Sequence, residues 1–313
     1  MKLFRPLLLG LGAMALGLTA SAAGGSKHAH APEEGWPFAK VPAGQVDKES
    51  VQRGFQVYQE VCSSCHGMKL LSYRNLGEKG GPFYSDEYPN ANDNPLVKAI
   101  AAEIEVLDPN PDDAGDPVYR PAIPADTFRS PYPNDQAAMA ANGGALPPDL
   151  SVITKARGHG AEGEGASYVY SLMTGYKDDK IKTKVGEDGL NVNYLEFDEG
   201  ETVGTLTQPT GLYYNPYFAG DATPQWDGDP RHVPYGGFLA MAPQLPDGRV
   251  EYIDGTEATT SQMAYDVAQF LHWAGDPKQS QRKSLALPVM LYLVLLSILL
   301  WFSYKRIWRN VEH

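Results

Sequence analysis

The chain has 313 residues, 38 of them acidic against 26 basic, and a formal net charge of -12 at pH 7. That length can bury a sizeable core in one or two domains, and the acidic excess argues against nucleic acid as a partner. Only two cysteines are present, so a framework of disulfides is excluded as the brace of the fold.

Met1 to Ala22 begins with Lys2 and Arg5, continues through an apolar run from Leu7 to Leu18, and closes on Ala20-Ser21-Ala22. This is the plan of a secretory signal peptide with an A-x-A cleavage site, too short in its apolar part to span a bilayer. It is excluded from the fold, and it sends the residues that follow across the membrane. Ser26 to Val46, rich in Pro, Gly and His with no sustained period, reads as an irregular arm.

From Asp47 the pattern changes. Asp47 and Ser50 are candidate N-caps, and Val51, Phe55, Tyr58 and Val61 recur at helical spacing, so an amphipathic helix is predicted to end at the cysteines. Gly77 to Pro133 is mostly loop, with a helix predicted over Pro95 to Val106, where Leu96, Ala99, Ile100 and Ile104 share a face. A further helical turn is expected at Ala137 to Asn142, closed by Gly143 and Gly144. A short helix is expected at Ser167 to Thr174, stopped by Gly175. Lys177 to Tyr235 mixes strand-like pieces such as Gly189 to Phe197 with Gly/Pro turns, which suggests a small hairpin. The last soluble helix begins after Thr260 or Ser261 and runs to Ala274, with Met263, Val267, Phe270 and Leu271 on one face and Gly275 to Pro277 ending it.

Leu285 to Tyr304 is an uncharged run interrupted by Pro288, and about 20 such residues cross a bilayer as a helix. Trp301, Tyr304 and Trp308 suit an interfacial aromatic belt, followed by Lys305, Arg306 and Arg309. Lys278, Arg282 and Lys283 balance that charge on the other flank, so orientation rests on the signal peptide. The predicted division is a signal peptide at 1–22, a body at 23–284 outside the cytoplasm, a transmembrane helix at 285–304 and a cytoplasmic tail at 305–313. Acidic clusters at Asp108 to Asp116 and Glu196 to Glu201 could steer a basic protein partner, or serve solubility alone.

The two cysteines stand in Cys62-Ser63-Ser64-Cys65-His66, which matches C-x-x-C-H, the attachment signature of haem c. Two sulfurs bond the two vinyl positions of one haem and the next residue lies under the iron as proximal ligand. A C-x-x-C redox pair or half of a zinc site are the alternatives. No βαβ pattern surrounds the motif and no second cysteine pair exists to complete a zinc cage. The expected fold is therefore mostly α: a c-type haem domain with long irregular loops and a small β hairpin, plus one C-terminal transmembrane helix.

The sixth iron ligand separates electron transfer from chemistry at an open iron. Of eight methionines, Met1 and Met14 belong to the signal peptide, Met290 to the membrane span, and Met68 lies too near His66 to cross the ring. Met139, Met173 and Met263 sit in helical patterns and read as packing. Met241, in the irregular segment Gly236 to Pro243, is the best candidate. His159 and His232 are rivals, whereas His272 reads as helix packing. Haem propionates need a cation or donor, for which Arg157 and Arg120 are candidates, although on sequence alone an ordinary surface salt bridge is the favoured reading of each.

Taken together, several segments of this sequence resemble the cytochrome c1 family, the haem c subunits of ubiquinol to cytochrome c reductase complexes. They are Val61 to Met68, Gly144-Ala145-Leu146-Pro147-Pro148-Asp149-Leu150-Ser151, Met241-Ala242-Pro243, Asp266-Val267 with Phe270-Leu271 and Trp273-Ala274, and the C-terminal span. The resemblance implies a cytochrome c-like haem domain with one covalent haem c on Cys62 and Cys65. His66 and Met241 would be axial ligands, Arg157 would pair with a propionate, and Leu146 and Pro147 to Leu150 would lie against the haem. It implies cytochrome b, a Rieske iron–sulfur protein as electron donor and a basic cytochrome c as acceptor, on a bacterial inner membrane with the body in the periplasm. On this reading the chain is an electron-transfer subunit of a proton-translocating oxidoreductase rather than an enzyme alone. Lys177 to His232 departs from the family pattern, and no extra cysteine pair is present. The competing functions are a haem c subunit of another membrane oxidase or dehydrogenase complex, and an open-site haem enzyme.

Overall fold

A computed structural model describes residues 26–40, 44–158, 162–186 and 189–310. The expected signal peptide and His159 lie outside these. In chain order the elements are α1 (Lys48–Glu60), α2 (Arg74–Gly77), α3 (Pro95–Ala102), β1 (Glu105–Leu107), β2 (Tyr119–Pro121), α4 (Asp135–Ala141), α5 (Ile153–Ala156) and α6 (Glu164–Thr174). They continue with β3 (Lys182–Val185), β4 (Asn191–Glu199), β5 (Thr202–Gln208), β6 (Tyr213–Asn215), β7 (Gly237–Leu239), α7 (Thr260–Gly275) and α8 (Gln279–Ile307).

Asp47 caps α1 by accepting a hydrogen bond from the Glu49 amide. Ser50 is not a cap: its hydroxyl donates to Asp266 of α7 at 2.5 Å, and both residues are fully buried. The helices touch there because residue 54 is glycine, where a Cβ would stand 2.0 Å from the Asp266 carbonyl oxygen. Val51, Phe55 and Tyr58 of α1 then pack with Val267, Phe270 and Leu271 of α7 in the main core, and the Phe55 and Phe270 rings meet edge to face at 5.7 Å. α6 packs on α7 as well, and α5 is pressed so closely to α6 that a Cβ at Gly165 would lie 1.7 Å from the Thr154 carbonyl oxygen.

The irregular arm contributes to this core. Trp36 and Phe38 are buried and stacked, and the Trp36 indole N–H donates to Ser167 of α6 at 2.8 Å. The predicted Pro95 to Val106 helix stops at Ala102, and Val106 instead pairs with Arg120 in the two-stranded β1–β2 ladder. The expected hairpin is β4–β5, joined by β3 into a three-stranded antiparallel sheet over a small second core of Leu195, Leu206, Tyr214 and Ala222. β6 and β7 pair antiparallel, with Tyr213 opposite Leu239 and Asn215 opposite Gly237. This ladder closes the insertion and returns the chain toward α6, where the Asn215 amide donates to the Leu172 carbonyl at 2.8 Å.

α8 is long and apolar enough to cross a membrane. It overruns the expected span at both ends, because its first turns are seated on the body. Lys278 pairs with Glu78 at 2.6 Å, Arg282 with Asp276 at 2.6 Å and Lys283 with Glu162 at 2.6 Å. Gln279, almost fully buried, donates to Glu162 and lies against His272, whose ring stacks on Phe38 at 3.6 Å. The basic residues at the start of α8 are thus consumed by carboxylates of the body, and His272 is a packing residue, as its helical position suggested.

Candidate haem site

α1 ends at Glu60, and Cys62–Ser64 continues it as one tight 3-10 turn. The amides of Cys65 and His66 both donate to the Cys62 carbonyl, at 3.1 and 2.9 Å. Ser63 and Ser64 donate back to the carbonyls of Gln59 and Val61, at 2.7 and 2.8 Å, satisfying acceptors that a helix end leaves open. The two serines between the cysteines therefore shape the turn that presents both sulfurs. Both thiols are free and half-buried. Burial, with the neighbouring Cys65, pushes the Cys62 thiol up to about 12, the opposite of what a C-x-x-C redox nucleophile needs. Tyr132 donates to the Cys65 sulfur at 3.9 Å and itself accepts from Asn142 at 3.1 Å.

The His66 ring is oriented from the far side of the site. Its Nδ1 lies 2.8 Å from the Pro148 carbonyl, an acceptor, so Nδ1 is the protonated nitrogen and Nε2 keeps its lone pair. Burial lowers the affinity of His66 for a second proton, offset in part by the Pro148 carbonyl and Asp149, which keeps the imidazole in the neutral form that can ligate a metal. Three further bonds fasten Pro148 and its neighbours to the turn: Leu150 N–H to the Gly67 carbonyl at 2.9 Å, Lys69 N–H to Asp149 at 2.9 Å and Leu70 N–H to Ser151 at 3.1 Å. The structure thus brings the Leu146 to Leu150 segment beside His66. Leu146 is 47% exposed and Pro147 half-buried.

Met241 is half-buried two residues beyond β7, and its carbonyl accepts a 2.8 Å hydrogen bond from the phenol of Tyr176, just past α6. Met68 and Met263 are fully buried in the core, Met173 packs against that core from α6, and Met139 lies on α4. His232 sits in the insertion, 3.3 Å from Glu201.

Arg157 closes α5 and is exposed, its guanidinium 5.7 Å from the centroid of the Tyr168 ring on α6. Among the described residues no carboxylate lies within 4 Å of it. Arg120 is differently placed, held between Asp126 at 2.6 Å and Asp108 at 3.3 Å. Its charge is engaged in bracing the β2 loop.

Among the described residues no three His, Cys, Asp or Glu side chains gather into a metal cage. A cavity of about 700 Å3, lined by residues including Phe55, Tyr58, Ser63, Tyr73 and Phe128, lies alongside α1 but includes none of Cys62, Cys65, His66 or Met241. The model of the Cytochrome C1 family matches residues 36–311. The chain belongs to the cytochrome c1 family.

Curated relatives agree. The chain is 39% identical over 308 residues to cytochrome c1 of Rhodospirillum rubrum, covering 96% of this chain and 94% of that one. It is 38% identical over 310 residues to the mitochondrial cytochrome c1 haem protein of Kluyveromyces lactis, covering 97% and 87%. Cytochrome b/c1 of Bradyrhizobium diazoefficiens is 38% identical over 303 residues, where 97% of this chain spans only 39% of that longer protein. Cytochrome c1 supports haem-based electron transfer in the bc1 complex, an oxidoreductase, and the family implies a covalently bound haem c.

The residues present fit that group. Two sulfurs on one turn carry no mutual bridge, and the adjacent imidazole turns Nδ1 to the Pro148 carbonyl, which leaves Nε2 as the ligating nitrogen. A guanidinium stands without a carboxylate partner among the described residues. Tyr132, Asn142, Tyr168 and Tyr176 were not singled out in the sequence. Tyr132 and Tyr176 work through contacts 67 and 65 residues away, which no local pattern reveals.

Proposed function

We propose that Cys62 and Cys65 hold one haem c through thioether bonds, that His66 Nε2 is the proximal ligand, and that Met241 is the distal one. The observation that carries this is the His66 ring, half-buried and locked through Nδ1 on the Pro148 carbonyl, with the thiols on the adjoining turn. A bound haem c supplies a one-electron couple. The protein residues set its conditions: Met241 closes the sixth position against oxygen and carbon monoxide, and a thioether favours the reduced state. Leu146 and Pro147 to Leu150 lie against the ring and keep water from it, while Arg157 pairs with a propionate. Arg120 is left out of this set because Asp108 and Asp126 already hold its charge.

The electron donor is a Rieske iron–sulfur protein, the acceptor a basic cytochrome c steered by the acidic surface, and cytochrome b is the neighbour in the bilayer. The body stands on the periplasmic side of a bacterial inner membrane and the tail beyond α8 in the cytoplasm. Met241→Leu tests the ligand assignment. It is expected to keep covalent haem and lose the far-red absorption band of Met-ligated ferric iron; an unchanged band rejects the assignment. Purification of the chain in mild detergent should bring cytochrome b and a Rieske protein, and oxidase subunits in their place would overturn the partner assignment.

A further inference from the structure

The chain reaches Met241 from β7, whose last paired residue is Leu239, and leaves it through Ala242, Pro243 and Gln244 before the next firm hold, where the Thr260 hydroxyl donates to the Leu245 carbonyl at 2.6 Å. Between those holds the backbone belongs to no regular element. Gln244 donates to the Ala242 carbonyl within the segment itself. Among the described residues, one hydrogen bond from elsewhere in the chain reaches residues 240–244: the Tyr176 phenol donating to the Met241 carbonyl at 2.8 Å. A phenolic O–H is a donor, and the carbonyl can only accept. The donor is stationary because it follows α6, which is tied to α7 through Tyr170 and Ser261 at 2.9 Å and to β6 through the Asn215 amide on Leu172.

We infer that Tyr176 is the positioning residue of the distal side: its hydroxyl holds the backbone of Met241 so that the thioether stays in the sixth position. The inference rests on the proposed ligation by Met241. Without the hydroxyl the hydrogen bonds that hold the segment among the described residues are those at Leu239 and Leu245, and it swings away more often. A neutral hydrogen bond contributes about 1 kcal/mol net, which is roughly a five-fold change in an equilibrium. Tyr176→Phe keeps the ring and its packing, and removes the bond alone.

The test uses the full chain, haem attached, in detergent micelles, with imidazole as the probe that displaces a thioether from ferric iron. Tyr176→Phe is expected to bind imidazole about five-fold more tightly, to bind carbon monoxide faster when reduced, and to show a weaker far-red band. Tyr170→Phe is the control. It loses a comparable part-buried hydroxyl bond from within α6, directed at α7, and should bind imidazole as the parent does. Parent-like imidazole affinity in Tyr176→Phe overturns the inference, and so does an equal gain in both variants, which would mean general loosening. Met241→Leu separates the two readings. If it retains the far-red band, the ligand assignment fails; if it loses the band while Tyr176→Phe behaves as the parent, only the role of Tyr176 fails.

Discussion

Replacing Arg53 by methionine removes the counter-charge of a carboxylate that has no access to water. Asp266 is fully buried on α7, and it accepts from Arg53 at 2.9 and 3.1 Å, from Ser50 at 2.5 Å and from Gln262 at 3.0 Å. Removing one partner of a buried pair leaves an uncompensated charge and costs about 3–5 kcal/mol. For a body of this size each kcal/mol moves the melting temperature by roughly 2–4 °C, so Arg53→Met should melt roughly 10 °C lower. The same guanidinium also reaches Asp254 at 2.9 Å, but that carboxylate is 45% exposed, and Asp254→Ala should cost less than about 1 kcal/mol. Arg53→Met combined with Asp266→Leu should be more stable than Arg53→Met alone, because no orphan charge remains. The assay is thermal unfolding of the haem-loaded chain in micelles, followed by far-ultraviolet circular dichroism. If Arg53→Met and Asp254→Ala shift the midpoint equally, burial of the Asp266 charge is not what couples α1 to α7, and the reasoning fails.

Two further predictions concern the junction of body and anchor. A histidine in an unfolded chain titrates near 6.5, whereas burial, and next the Lys155 charge, lower His272 to about 4. The unfolded state therefore takes up the proton first: stability is fully present above pH 6.5 and declines as pH falls toward 4, by roughly 3 kcal/mol at most. His272→Phe, which can still stack on Phe38, should flatten this part of the acid limb in urea titrations at pH 7.5 and 4.5, and an unchanged limb would rule His272 out. Lys283→Glu should speed backbone amide exchange over residues 276–286 in lipid nanodiscs, through loss of the Glu162 pair and of the donation to the Phe38 carbonyl. Adding Glu162→Lys should restore protection, with a coupling of about 0.5–1.5 kcal/mol; slow exchange in Lys283→Glu would show that the seat of α8 is not electrostatic.

What was legible in the sequence follows from how far apart the interacting residues lie. α1, α7 and the span carried their own signals, in Asp47 as a cap and in apolar spacing of three and four. The haem motif was legible because its chemistry is confined to five consecutive residues. Ser50 was misread because its partner, Asp266, is 216 residues away. The helix at Pro95 was overextended because Ile104 continues the helical face, while Val106 has a strand partner, Arg120, that a local period cannot reveal. The arm looked irregular because Trp36 and Phe38 follow no period, yet each packs as tightly as a helical core residue. In the insertion, the second core of Leu195 and Leu206 exists only once β4 and β5 are registered.

The two sides of the candidate site are built from different material, and this separates what substitutions in each should change. The proximal side is an extension of a capped helix fastened along its length to α7, and the carbonyl of Pro148 fixes the ring of His66. Perturbations there act on the turn that presents both sulfurs, so their effect falls first on haem attachment and on stability. The proposed distal side is a short irregular segment held, among the described residues, at Leu239, at Leu245 and at the carbonyl of Met241 by Tyr176. A segment with so few holds can be loosened without unfolding the body, since the α1–α7 core lies outside it. Substitutions on this side should therefore alter ligand exchange and reduction potential at nearly constant melting temperature. On the proposed ligation, a helix would serve the permanent, covalent side, and a tethered loop the side where a weak thioether bond is held by position.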